Sequence, residues 1–419
     1  MPGQLDLVTP RTSPDQTAAA PTTSRRTSRL LWILVLSVGL LAGAAHLTFL
    51  LSQGRNLWLF DSRSYLYFTL RILGADPYAA NQQVHDFSVT LLGVKDAAPI
   101  WDARAFYSFA GRPLYSLLSA PFVALFGVNG MFVVPFLAYA AFVPAFYALL
   151  RRLARPVAAT LAMVLLLVVS PMVYAVTPLA ESLSLLTATC WLFTLPWPTR
   201  SGATPPMTMR RIVACVAMIV LANTSRQLIT FACAFAFFVA VWAWRQTSEL
   251  RDSWWKACAA TAAGVLASTV VINLFSHVTF TDLVSQNTEG KFTGPVQGFP
   301  YYAGRVALSV GLELRSLVNE QGMLVLALVA VIGAVLLRRT IVTALVAAAF
   351  TGYLGTLLLA PFPTSLRLFL PSALFVTIAA AIAIGQPWRR DRDPLAGNAL
   401  LTPWTERANP AGGARSASR

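Results

Sequence analysis

Charge is what this sequence has least of. Only 12% of its 419 residues are charged, against roughly 25% in a soluble domain. Acidic residues are scarcer than basic ones, 17 against 32. Histidine occurs three times and never in an H-x-x-x-H spacing, so the chain carries no metal signature of that kind. The four cysteines, Cys190, Cys215, Cys233 and Cys258, lie in apolar runs without metal-ligand spacing and read as small hydrophobes. No Walker-type phosphate loop is present, which argues against ATP hydrolysis by this chain.

What fills the sequence is hydrocarbon. Apolar residues make up 56% of it and the mean hydropathy is +0.62. Several runs without an ionisable group are long enough to cross a bilayer, for which about 20 residues are needed. The expected fold is an all-α polytopic membrane protein. Ten spans are drawn at about 30–52, 130–150, 156–176, 179–197, 211–224, 227–244, 256–277, 322–337, 341–360 and 366–385. Residues 1–29 and 389–419 read as disordered cytoplasmic tails flanking one transmembrane domain, 30–388. SRRTSRLLWILVLSVGLLAGAA has the look of a signal peptide, even a twin-arginine one, but its apolar run continues to about residue 52, too long for an h-region. The stretch 111–127, GRPLYSLLSAPFVALFG, is short and broken by Pro121, and reads as an interfacial or re-entrant helix. Usage rich in Ala and Arg and poor in Lys matches a high-GC bacterial coding sequence.

The +15 net charge follows from arginines gathered in loops and needs no nucleic-acid partner. With ten spans and a cytoplasmic N-terminus, one side collects Arg25, Arg26, Arg29, Arg151, Arg152, Arg155, Arg200, Arg210 and Arg211. The same side takes Arg245, Arg251, Lys256, Arg338, Arg339, Arg389, Arg390 and Arg392. This is the positive-inside pattern of a plasma (inner) membrane protein with both termini cytoplasmic. An eleventh span at 111–127 would scramble it. The loops 53–129 and 278–321 then fall on the outer side.

That topology brings five rare charges to the outer face: Asp61, Arg112, Glu181, Arg226 and Arg367. Ionisable groups at membrane depth usually mark a function. Each also has a plainer reading. Arg226 and Arg367 can snorkel to headgroups, Glu181 can be one half of a structural ion pair, and Asp61 can be the N-cap of the helix that follows it. Taken together, arginines suit bidentate capture of phosphate oxygens, and a carboxylate beside them can take a proton from a hydroxyl. The set points to a lipid-linked phosphate as substrate.

The layout resembles the GT-C superfamily of integral-membrane glycosyltransferases. FDSRSYLY and LGADPYAA (60–67 and 73–80) are similar to that family's first outer loop, with its early Asp and later G-x-x-PY. GRPLYSLLSAPFVALFG resembles its (K/R)PPL…LFG segment, though with one proline. ESLSLL from Glu181 is similar to the acidic opening of the second outer loop, and RLFLP (367–371) resembles its R-x-x-x-P. The resemblance implies a long first outer loop with short juxtamembrane helices, and transfer of a sugar from a polyprenyl-phosphate donor to an envelope glycan, lipid or protein, with inversion. It implies Asp61 as base, Arg112, Arg226 and Arg367 on the donor phosphate, and Glu181 beside the acceptor or a metal, with Arg63, Tyr65 and Tyr78 in support. Mannose and arabinose fit such a source. Metal-using branches carry D-x-D where this chain has Asp61-Ser-Arg63, so Mg²⁺ or Mn²⁺ is left open.

Two other classes compete. A transporter or flippase of a lipid-linked or anionic solute would place polar or broken helices at mid-bilayer. An O-antigen polymerase or ligase usually has its long loop late, whereas here the longer loop comes first. The shared-site reading requires Asp61 to lie within about 20 Å of Arg226 or Arg367, since charge contact fails beyond that. The loop 278–321 is expected to act as a lid or sugar-stacking surface. Deleting 286–302 is then expected to impair turnover in a membrane transferase assay while insertion stays intact; unaffected turnover contradicts it.

Overall fold

The computed structural model describes residues 24–52, 58, 60–92, 111–198, 204–226, 228–276, 282, 295–361 and 366–385. The tails beyond these, and most of the lid segment before residue 295, lie outside the described residues. Among the described residues the chain forms fourteen α-helices and three 3₁₀ turns, without a strand. Helix α1 is Ser24–Ser52, so it begins within the tail expected to be disordered. It is anchored by close approach: Tyr139 Oη donates to Gly39 O at 3.0 Å, and the same ring lies over Gly43. The AGAA of the signal-like segment sits inside this unbroken helix.

Three short helices follow, α2 (Phe60–Ile72), α3 (Pro77–Leu92) and α4 (Pro113–Phe126). A 3₁₀ turn (Gly127–Phe132) leads into α5 (Val133–Leu153). Residues 113–153 together are apolar enough to be one long span, but they are not a single rod. Eight residues of α-helix would separate Phe122 from Gly130 by about 12 Å. A Cβ placed on Gly130 would instead lie 2.2 Å from Phe122 O. The chain doubles back here, with Gly127 at φ +61 ending α4.

The remaining helices are α6 (Pro156–Val168), α7 (Glu181–Thr194), α8 (Met209–Ser225), α9 (Ile229–Trp244), α10 (Ser248–Phe275), α11 (Pro295–Asn319), α12 (Gln321–Leu336), α13 (Ile341–Leu359) and α14 (Leu370–Gly385). Every segment drawn as a span holds a helix. Among the described residues, however, length and composition qualify five stretches to cross a membrane, or six if α11 and α12 count as one bent span. Part of the shortfall has a local cause around α6 and α7. Pro171 and Pro178 replace the expected helix ends with a 3₁₀ turn at Ser170–Ala175 and bends, leaving α7 only 14 residues.

The second departure is α11. Residues 278–321 read as a loop, yet 295–319 form a helix that meets α12 at 98°. Its polarity is inverted: Tyr302, Ser309 and Glu313 are buried, while Phe299, Leu308, Leu314 and Val318 are exposed. An apolar outward face suits a helix lying in a lipid interface. Deletion of 286–302 would also remove the first turns of α11, including Tyr302.

Two cores result. The larger runs through α1, α5–α10 and α12–α14. A smaller one joins Trp58, Tyr65, Leu66, Val84, Phe87, Tyr115, Met131, Leu179 and Leu183, with Trp58 edge-on to Phe87 and Phe132 at 4.5 and 5.3 Å. It caps one end of the bundle with α2–α4. The opposite end is marked by basic side chains. Arg151, closing α5, donates to Ser28 near the start of α1 at 3.2 Å. Arg152 donates to Trp197 O at 3.0 Å, Arg211 donates to Leu195 O at 2.7 Å, and Gly385 packs on Arg155.

Small residues set the helix crossings, as expected where backbones meet in an apolar bundle. A Cβ on Gly352 would sit 2.9 Å from Phe231 Cα, whereas one on Gly311 meets nothing within 4 Å. Gly352→Val is therefore expected to destabilise by about 1–3 kcal/mol, and Gly311→Ala to stabilise by about 0.5–1 kcal/mol. Melting of the purified protein in detergent checks the pair; equal effects would contradict the packing.

Candidate functional site

The boundary between the two cores is where the rare charges meet. Asp61 falls in the first turn of α2, not at its N-cap, where a carboxylate also complements the helix dipole. Glu181 opens α7 directly after the Pro178 bend. Arg226 is the extended residue that ends α8. The turn carrying it is held by Asn223, whose Oδ1 accepts from Leu228 N at 2.7 Å and whose Nδ2 donates to Ser268 Oγ at 2.8 Å. Arg367 starts a 3₁₀ turn (Arg367–Phe369) that leads into α14.

Arg367 is the hub. Its Nη1 donates to Asp61 Oδ2 at 2.6 Å and its Nε donates to Glu181 Oε1. The same Oε1 accepts from Arg226 Nη1. The Arg367 guanidinium also lies 5.4 Å from the centroid of the Tyr174 ring, within cation–π range. Side-chain exposure falls inward from 26% at Asp61 through 13% at Arg367 and 8% at Arg226 to 1% at Glu181. Asp61 is thus the most exposed member, and Glu181 the buried counterion of two arginines. Among the described residues Glu181 Oε2 is buried and accepts no hydrogen bond.

Arg112 stands directly before Pro113, which opens α4, and its charge acts on the Tyr65 phenol. Tyr65 is fully buried, edge-on to Tyr115 at 4.9 Å, and its carbonyl accepts from Ser116 Oγ at 3.1 Å. Burial pushes the Tyr65 phenol up, so it stays protonated. Burial also works to raise the Asp61 carboxyl, but Arg367, Arg112 and Arg226 together outweigh it and hold Asp61 below its ordinary value. Three arginines against two carboxylates leave one positive charge in excess, which favours an anion.

The structure therefore unites Asp61, Glu181, Arg226 and Arg367 in direct contact, with Arg112 and Tyr65 adjoining. Arg63 is buried on α2, but two residues on from Asp61 it lies about 200° round the helix and faces another side. Tyr78 is 62% exposed at the start of α3 and stands outside the buried cluster. Asp76 beside it serves α3 as a cap, accepting from Tyr78 N at 2.9 Å and Ala79 N at 3.0 Å.

A divalent cation would need these carboxylates as ligands. Both are taken by guanidiniums, and no group of three or more His, Cys, Asp or Glu side chains forms among the described residues.

Two acids were not singled out by sequence. Glu320, preceding α12, accepts from Ser170 N at 3.0 Å and from its hydroxyl. Glu313 on α11 accepts from Tyr353 Oη and from Leu366 N, each at 2.7 Å. The available signal was a lone carboxylate in the apolar run VALSVGLELRSL. The chain matches no protein-family model, no curated protein and no solved structure.

Removing one partner of a buried pair leaves the other charge stranded, at about 3–5 kcal/mol. Glu181→Ala is expected to approach that loss in detergent melting, and Asp61→Asn, at the open edge, to lose less; the reverse order would contradict the burial gradient. Asp61 is held below its ordinary 3.8 in the folded chain, so its pairing stabilises above that pH and fades as pH falls through the folded value.

Proposed function

We propose that this chain is a membrane glycosyltransferase of GT-C type. It moves a sugar from a polyprenyl-phosphate donor to an envelope glycan, lipid or protein acceptor on the extracytoplasmic face. The observation that carries this reading is the Asp61–Arg367–Glu181–Arg226 cluster, a carboxylate at the open edge of an arginine-rich pocket. The separation of the basic helix ends from the cluster end supports ten crossings with the cluster outside. The position of the cluster at helix starts and ends supports an enzyme over a transporter, whose site would sit near mid-bilayer.

In the resting arrangement Asp61 is a poor base, because Arg367 holds its proton affinity down. A donor phosphate gives Arg367 a better bidentate partner than a single carboxylate oxygen. Arg112 and Arg226 add positive potential to the same spot. Released from Arg367, Asp61 turns to the acceptor. The acceptor hydroxyl loses its proton to Asp61 while its oxygen bonds to the anomeric carbon. The bond from that carbon to the phosphate oxygen breaks, and polyprenyl phosphate leaves with the electron pair. The arginines stabilise the charge that develops on it. One carboxylate acting as base leaves the anomeric centre inverted.

Membranes carrying the wild-type protein are expected to consume a radiolabelled polyprenyl-phosphate sugar, and Asp61→Asn to lower the rate by about 10²–10⁴-fold. Wild-type membranes that consume no such donor, or a fully active Asp61→Asn, would overturn the proposal.

A further inference from the structure

We infer that Glu313 and Tyr353 are positioning residues that hold Arg367 in its bridging place, an inference resting on the donor-phosphate reading of that arginine. The residue before Arg367 is Leu366, at φ +66. Branched side chains rarely adopt this left-handed conformation unless the surroundings hold it. Leu366 is buried, and its N–H is met by Glu313 Oε2 at 2.7 Å. The same carboxylate oxygen accepts from Tyr353 Oη at 2.7 Å. Beyond Arg367, Phe369 is buried with its ring edge-on to Tyr353 at 5.0 Å and tilted on Phe350 at 6.0 Å. One tyrosine thus grips the segment on both sides of Arg367, with its hydroxyl through Glu313 before it and its ring after it.

The rest of α11 reinforces the grip. Tyr302 Oη donates to Leu358 O at 2.5 Å and Ser309 Oγ donates to Pro361 O at 2.7 Å. Tyr302, Ser309 and Glu313 are spaced seven and four apart, which is one face of a helix. That face bonds Leu358, Pro361 and Leu366 in turn. The buried polar side of α11 fits this role, since Tyr302 satisfies a carbonyl in the last turn of α13, Ser309 one just beyond it, and Glu313 the amide before Arg367.

Glu313 acts here as an acceptor. Glu313→Met removes the acceptor while keeping the bulk, and Glu313→Gln keeps a carbonyl oxygen in its place. The first measurement needs no ligand. Hydrogen exchange at the Leu366 amide, read by mass spectrometry on the full-length protein in detergent, should speed about tenfold in Glu313→Met and stay near wild type in Glu313→Gln. Unchanged exchange in Glu313→Met, or equal acceleration in both variants, would overturn the clamp.

The second measurement is retention of undecaprenyl phosphate by the wild type, Glu313→Met, Arg367→Gln and the double variant. Glu313→Met should weaken binding about tenfold alone and less than twofold in the Arg367→Gln background, because it acts through that arginine. Additive losses would show a general structural effect and overturn the inference. If the wild type retains no undecaprenyl phosphate, the donor reading fails, and the exchange measurement still decides the clamp. Tyr353→Phe, which removes only the hydroxyl, should show the same pattern to a lesser degree and replaces Glu313→Met if that variant does not fold.

Discussion

One guanidinium holds the structure's most costly groups in place. Arg367 touches Asp61 across 306 positions of sequence and Glu181 across 186, while Arg226 closes on Glu181 from 45 positions away. In a chain that is mostly hydrocarbon, a charge stranded away from water would cost several kcal/mol. The four segments carrying these charges therefore have one arrangement in which all are paired. That arrangement brings together the starts of α2, α7 and α14 and the end of α8. The Asp61–Arg367 pair joins the small α2–α4 core to the main bundle beside the apolar contacts that Leu179 and Leu183 make with it.

The site was legible in the sequence for the reason the fold is apolar. Against so little charge, Asp61, Glu181, Arg226 and Arg367 each stood out, and arginine counting brought them to one face. Their partners were not legible. Glu181 had been weighed as half of one ion pair and instead serves two arginines, a choice made by three-dimensional approach across long separations. Asp61 was weighed as a cap and instead sits in the first turn of α2, where its side chain turns to Arg367.

The misses have physical causes as well. The segment 295–319 reads as a loop in sequence because its Gly, Pro and aromatic residues break the usual apolar run, and its polar residues face inward. A polar face directed into the protein and an apolar face directed out reverse the pattern by which a soluble helix is recognised. Glu313 was overlooked for the same reason. The helices drawn at 156–176 and 179–197 are shorter than expected where prolines at 171 and 178 convert helix into turn, a change hydropathy does not register. Tyr78 matched a motif by spacing, yet its ring lies at the surface.

The cluster is best understood as a site closed by its own counterions. On the proposed transferase reading, sharing Arg367 between two carboxylates keeps the base ionised and weakly basic and the phosphate-binding group occupied until an anion of higher charge arrives. Binding and activation of the base then become one event. An electron-microscopy structure of the protein in lipid nanodiscs with undecaprenyl phosphate tests this most directly. The account predicts phosphate density against Arg367 and Arg112, with Asp61 Oδ2 moved beyond hydrogen-bond reach of Arg367 Nη1. Phosphate bound elsewhere, with the Asp61–Arg367 pair intact, would contradict it.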